Sequence, residues 1–216
     1  MKRLSILMLI AVSLAVTSCR WLGVRGNGNV RTEQIPVADF SELQADGHGM
    51  FDIEWRSGPP TLTITTDQNL MKYVEARVVD NQLRLHVRER ILPTDGLKVR
   101  MSSSNRTSAR LRGASQLVVR ELTGNSFAVE TTGASEVKLD GTLDRLLADM
   151  TGASQLNAKS LQVRTAELST TGAGRADVSV SEALRVMITG AGEVTYHGDP
   201  SVQKHVVGAG EVRHKD

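Results

Sequence analysis

Residues 113–139 read GASQLVVRELTGNSFAVETTGASEVKL, and two features of this stretch decide the fold. Gly-Ala-Ser stands at Gly113 and returns at Gly133, and each copy is followed by alternating apolar residues, Leu117 and Val119, then Val137 and Leu139. The cassette recurs as Gly-Ala-Ser or Gly-Ala-Gly at Gly152, Gly172, Gly190 and Gly208, so the six glycines lie 20, 19, 20, 18 and 18 residues apart. A period near 20 residues with strand-like alternation marks stacked β coils, in which no unit buries its own apolar face.

Counting outward from each glycine by twos gives one continuous series. Downstream it continues through Leu156 and Ala158, Ala176 and Val178, Val194 and Tyr196, and Val212 and His214. Upstream it runs through Phe127 and Val129, Leu146 and Ala148, Ala166 and Leu168, and Leu184 and Val186. The parity is the same on both sides of the glycine, so one face of a long extended segment points inward throughout. The third position (Gln116, Glu136, Gln155, Arg175, Glu193, Glu211) faces solvent. Small inward residues at the glycine and two places later (Ser115, Ser135, Ser154, Gly174, Gly192, Gly210) mark a bend. The pattern predicts an all-β chain, a parallel β-helix or β-solenoid of about six rungs over 106–216. A hairpin sandwich needs tight turns between all its strands, and only Asp140-Gly141 and Asp95-Gly96 supply them.

Residues 25–105 lack the cassette but alternate over Phe51–Trp55, Leu62–Ile64 and Leu83–Val87. They are expected to form an irregular β cap over the first rung, within a single domain spanning 25–216. Asp80-Asn81 predicts a hairpin turn, and Asp67 is placed to N-cap one helical turn through Gln68, Asn69, Leu70 and Met71.

The N-terminus is a targeting segment. Lys2 and Arg3 precede an apolar run from Leu4 to Val16, too short for a bilayer span. Val16-Thr17-Ser18-Cys19 looks like a bacterial lipobox, so residues 1–18 are expected to be removed, Cys19 to be acylated, and 19–24 to form a short tether to the membrane. Cys19 is the one cysteine, which leaves no internal disulfide in an exported protein. No acidic residue follows it at Arg20, which suggests the outer membrane. Without Lys2 and Arg3 the 26 basic residues become 24, against 24 acidic ones, so the mature domain is neutral and a nucleic acid partner is not expected.

Val24-Arg25-Gly26-Asn27-Gly28-Asn29-Val30, Phe40, Gly47-His48-Gly49-Met50-Phe51-Asp52-Ile53, Ser57-Gly58, Asp67-Gln68-Asn69-Leu70 and Asn81-Gln82-Leu83 precede the cassettes. In that order they resemble the auto-transporter adhesin head GIN domain, a family of exported bacterial β proteins. The resemblance runs from about Val24 to the last residue and implies a β-helix-like fold in a cell-surface or periplasmic setting. No translocator barrel is expected after Asp216, so the chain does not resemble a self-sufficient autotransporter.

Chemistry is sparse. Glu136, Glu193 and Glu211 share a column, but Gln116, Gln155 and Arg175 interrupt it, which a solvated edge explains better than the paired carboxylates of a glycan-cleaving enzyme. His197, His205 and His214 crowd the final rungs without a cysteine or acidic shell, so no metal or other cofactor is assigned. Ser115, Ser135 and Ser154 occupy bends rather than a nucleophile elbow. The remaining candidate is a flat, small, uncharged stripe made of Thr132, Thr151, Thr171 and Thr189 with Ala134, Ala153, Ala173 and Ala191. The reading is a non-enzymatic, lipid-anchored envelope protein, acting in adhesion or contact with an envelope protein or glycan. A polysaccharide-active enzyme and a self-associating scaffold, paired around Glu211-Val212-Arg213, are the alternatives.

Overall fold

The computed structural model describes residues 23–48 and 50–216. The expected signal segment 1–18, Cys19 and most of the expected tether 19–24 therefore lie outside the described residues, while Val24 already belongs to a strand.

Four long strands form the body: β11 (Gln116–Gly133), β12 (Glu136–Gly152), β13 (Gln155–Gly172) and β14 (Arg175–Gly190). Each winds through nearly a full coil and pairs in parallel with the next, glycine on glycine. β10 (Ser108–Gly113) precedes them, and β15 (Glu193–His197), β16 (Ser201–Gly208) and β17 (Glu211–His214) follow. The architecture is the predicted β-solenoid. The six cassettes bound five complete coils, slightly fewer than the expected six rungs. Strands just after a cassette make one face of the solenoid, and strands leading into the next cassette make the second.

The parity read from sequence places the core. Leu117, Val119, Phe127 and Val129 are buried in one coil, and Val137, Leu139, Leu146 and Ala148 in the next. Glycine is required at the cassette for two linked reasons. Gly133 turns the corner at φ +117°, and a Cβ there would lie 2.4 Å from the carbonyl oxygen of Gly113. That same carbonyl accepts the Ala134 N–H at 2.9 Å, and the bond repeats from Ala153 to Gly133 and from Ala173 to Gly152. The corners thus stack backbone on backbone, with no room for a side chain between them. Ser115, Ser135 and Ser154 are buried in these bends; the Ser135 hydroxyl bonds the Gly113 carbonyl at 3.3 Å, and Ser115 Oγ accepts the Phe51 N–H at 3.3 Å.

The N-terminal part is more regular than its sequence suggests. β3 (Glu42–Gly47) and β4 (Phe51–Ser57) form one rung, and β7 (Gln82–Val87) and β9 (Leu97–Ser103) form another. β3 lies between β10 and β7, and β4 between β11 and β9, all parallel. The rung made first in sequence is therefore the inner one, and Gly47 occupies the cassette column between Val87 and Gly113. Antiparallel strands close this end: β6 (Val74–Val79) pairs with β7, β5 (Thr61–Asp67) with β9, and β2 (Val30–Gln34) with β5. A two-stranded parallel sheet joins β1 (Val24–Arg25) to β8 (Ile91–Leu92). The β6–β7 hairpin turns at Asp80 and Asn81, both with positive φ, as the sequence predicts.

Asp67 does something other than cap a helix. The single helical turn is a 3-10 turn at Met71–Tyr73, beyond the expected Gln68–Met71, and its N-cap, Leu70, makes no side-chain cap bond. The buried Asp67 carboxylate instead accepts the Gly28 N–H (2.7 Å), the Thr94 N–H (2.8 Å) and the Thr94 hydroxyl (2.9 Å). These donors, led by the Thr94 N–H, outweigh burial and hold the carboxyl below its ordinary value. Long-range donors won over the local cap because three of them converge on one carboxylate.

Candidate functional site

The outward positions of the second face form three columns. One holds Ser108, Ala128, Leu147, Glu167 and Arg185, and the next holds Arg110, Glu130, Asp149, Ser169 and Met187. The third contains Thr132, Thr151, Thr171 and Thr189. Parallel in-register pairing produces these columns, since every coil presents the same parity to solvent.

A groove of about 490 Å³ lies over the first two columns. Ala128, Leu147 and Met187 give it apolar surface, and Met187 is 51% exposed although its neighbours in register include Ser169 and His205. Charge flanks this surface. Arg110 Nε donates to Glu130 at 2.6 Å, and Arg145 reaches Glu167 at 3.3 Å. The lining contains no aromatic residue, so it offers no stacking platform for a sugar ring.

The threonine and alanine stripe is exposed at all eight positions, and its threonines run beside the groove as the third column. The groove itself was not read from sequence. Its two columns carry a different residue in almost every coil, so no repeat marks them. The available signal was Leu147 and Met187, large apolar residues at odd positions of the count.

The other candidates separate. Glu193 and Glu211 are neighbours in register, but Arg213 bridges them, at 3.1 Å to Glu193 and 2.7 Å to Glu211. The hydrogen bond from Arg213 holds the Glu211 carboxyl low, and Lys138 does the same for Glu136. A general acid needs the opposite shift. His197 bonds Asp177 at 2.9 Å, the His214 ring stacks on Tyr196 at 4.9 Å, and His205 points outward from the second face beside Met187. The three histidines do not converge, and no group of three His, Cys, Asp or Glu side chains suited to a metal occurs among the described residues.

A buried cation supports the bend opposite the cassettes. Arg106 is 4% exposed and donates to the carbonyls of Arg120 and Glu121, the latter at 2.8 Å, where Glu121 turns with φ +53°. Asp140 completes the bend by accepting the Glu121 N–H at 2.7 Å and the Arg120 guanidinium at 3.0 Å. Burial lowers the pKa of Arg106, against the pull of Glu121 and Asp140.

Residues 39–200 match the family model described as "Putative auto-transporter adhesin, head GIN domain". The chain belongs to this family. Its description is that of an exported cell-envelope adhesin head, a non-enzymatic kind of role. Among solved structures, a putative adhesin from Bacteroides fragilis NCTC 9343 is similar at 19% identity, with TM-score 0.72 over 89% of this chain and 100% of that one. A putative adhesin from Parabacteroides merdae ATCC 43184 is similar at 22% identity, with TM-score 0.57 over 89% and 99%. A putative lipid binding protein from Parabacteroides distasonis ATCC 8503 is similar at 20% identity, with TM-score 0.59 over the same shares. These likenesses establish the shared fold. No protein of curated function matches the chain.

Proposed function

We propose that this head GIN domain is a non-enzymatic adhesion module, anchored through an acylated Cys19 in the outer membrane, that holds an envelope protein against the second face of its solenoid. The groove beside the threonine column is the observation that carries this reading. Its apolar surface and flanking ion pairs suit a protein surface, because apolar patches rimmed by charge are where proteins meet. The lack of aromatic lining makes a soluble glycan the weaker partner.

Two experiments test the parts separately. Cys19→Ala should abolish fatty-acid labelling and move the protein out of the membrane fraction; a labelled or membrane-bound variant would overturn the anchor. Cells displaying the chain should lose most surface attachment with Met187→Glu and Ala128→Glu, while retaining the protein at wild-type levels. Ala153→Lys measures the share of the stripe. Attachment unaffected by all three substitutions would sink the binding face.

A further inference from the structure

The last coil differs from the others in what its outer edge offers. β16 bonds β14 on one side, β17 bonds β15, and neither strand has a partner on the other side among the described residues. Val206 and Val207 are 37% and 52% exposed there, and Val202, Val212 and Tyr196 are half-buried against the end of the core. A parallel edge with free N–H and C=O groups and apolar flanks is a template for another strand.

We propose that β17 pairs antiparallel with the β17 of a second copy, closing two heads end to end into a twofold dimer. Strand parity and charge select the register. Directly opposed residues in an antiparallel pair lie on one face, so inward Val212 must oppose an inward residue. Three registers meet that condition near the strand centre. An axis through Glu211 sets Glu211 against its own copy, and an axis through Arg213 sets Arg213 against its own copy; like charges directly opposed destabilise both. An axis through Val212 pairs Val212 with Val212 and places Glu211 opposite Arg213 twice. Arg213 already lies 2.7 Å from the Glu211 of its own strand, so the pair extends into a cross-copy network. His214 then falls opposite Gly210, where no side chain competes for the space.

The same geometry limits assembly to two copies. Lys204 takes the inward position where Val186 stands in the coil below. An inward-pointing lysine at an edge disfavours strand addition there, which leaves β17 rather than β16 as the pairing strand. The opposite end of the head is closed by antiparallel β2, β5 and β6, and β2 is exposed with Arg31 and Glu33 along it. A twofold contact uses the same surface on both copies and leaves no open end to propagate.

Cysteine cross-linking reads the register directly, in the full chain carrying Cys19→Ala. Opposed Cα atoms lie roughly 5 Å apart, within disulfide reach, whereas copies of residue 214 would be about 14 Å apart. Val212→Cys should therefore oxidise to a dimer, and His214→Cys should not. Glu211→Arg should weaken dimerisation about tenfold, and Glu211→Arg with Arg213→Glu should restore it. Absence of a Val212→Cys dimer, equal cross-linking at 214, a ladder of longer species, or failure of the double reversal would each overturn the pairing. None of these outcomes bears on the groove, which lies on a different surface.

Discussion

The two ends of this solenoid solve the problem of an exposed rung in opposite ways. One inward column runs from Met101 and Trp55 through Val119, Leu139, Ala158 and Val178 to Tyr196 and His214. Another runs from Leu83 and Leu43 through Val129 and Leu168 to Val186 and Lys204. At the N-terminal end the columns are large and apolar, and antiparallel strands cover them. Trp55 is fully buried, stacked on Phe40 at 5.8 Å and edge-on to Phe127 at 6.2 Å, with its indole N–H donated to Ser103 at 2.9 Å. At the C-terminal end the columns turn polar and no strand among the described residues of the same chain covers them. Covering an end permits a large core; leaving it open requires that the core fade out first. Stability should accordingly be graded along the axis, highest at the closed end.

The sharpest test replaces Trp55. Trp55→Ala should cost about 3–5 kcal/mol in urea unfolding, whereas Val212→Ala in the last coil should cost under about 1 kcal/mol. Equal losses would erase the proposed gradient. Within the body, Gly133→Ala meets both a positive φ and the Gly113 carbonyl and should cost at least about 2 kcal/mol. Gly113→Ala should cost less despite its φ of +107°, because the nearest atom to its Cβ is 3.9 Å away; thermal melts of the two variants compare strain with strain plus collision.

Acid should loosen the closed end first. The Asp67 carboxyl is held low by its N–H donors, and Asp46 is held low by His86 and Gln44 although burial opposes them. A depressed folded pKa contributes stability that is present above the unfolded value, about 3.9, and is lost as pH falls through the folded one. Hydrogen exchange of β5 and the Thr94 amide should therefore accelerate below about pH 4, and Asp67→Asn should remove most of that dependence. The smallest effect should be a gain. The hydroxyls of Thr131 and Thr170 are buried in the cassette bends without a hydrogen-bond partner among the described residues. Thr131→Val and Thr170→Val should each raise stability by up to about 1 kcal/mol, and a loss in the melt would mean the hydroxyls are satisfied.

The C-terminal coils were legible because each bonds the coil just before it in sequence, so a fixed period carries the whole arrangement. Leu117, Val137 and Leu156 fall at the same count and on the same buried face. The N-terminal rungs escaped because spatial order departs from chain order. Gly47 stacks with Gly113 rather than with any glycine about 20 residues away, and counting along the chain cannot see that. Asp67 illustrates a second limit: a local cap was visible in sequence, whereas Gly28 and Thr94 are brought to it only by the fold. The groove shows a third, since Ser108, Ala128, Leu147 and Glu167 share a column but no chemistry.

The displaced rung also bears on how such a head can change length. A unit such as 134–152 could be duplicated in place, since the new coil would begin and end on the stacking surface its neighbours already present. The rung of β3 and β4 has no such freedom. Its neighbours, β7 and β10, are supplied by later parts of the chain, and Thr107 donates its amide to Ser41 across 66 residues of sequence. Lineages that lengthen or shorten the head would then do so among the later coils, while the interlocked end is inherited whole.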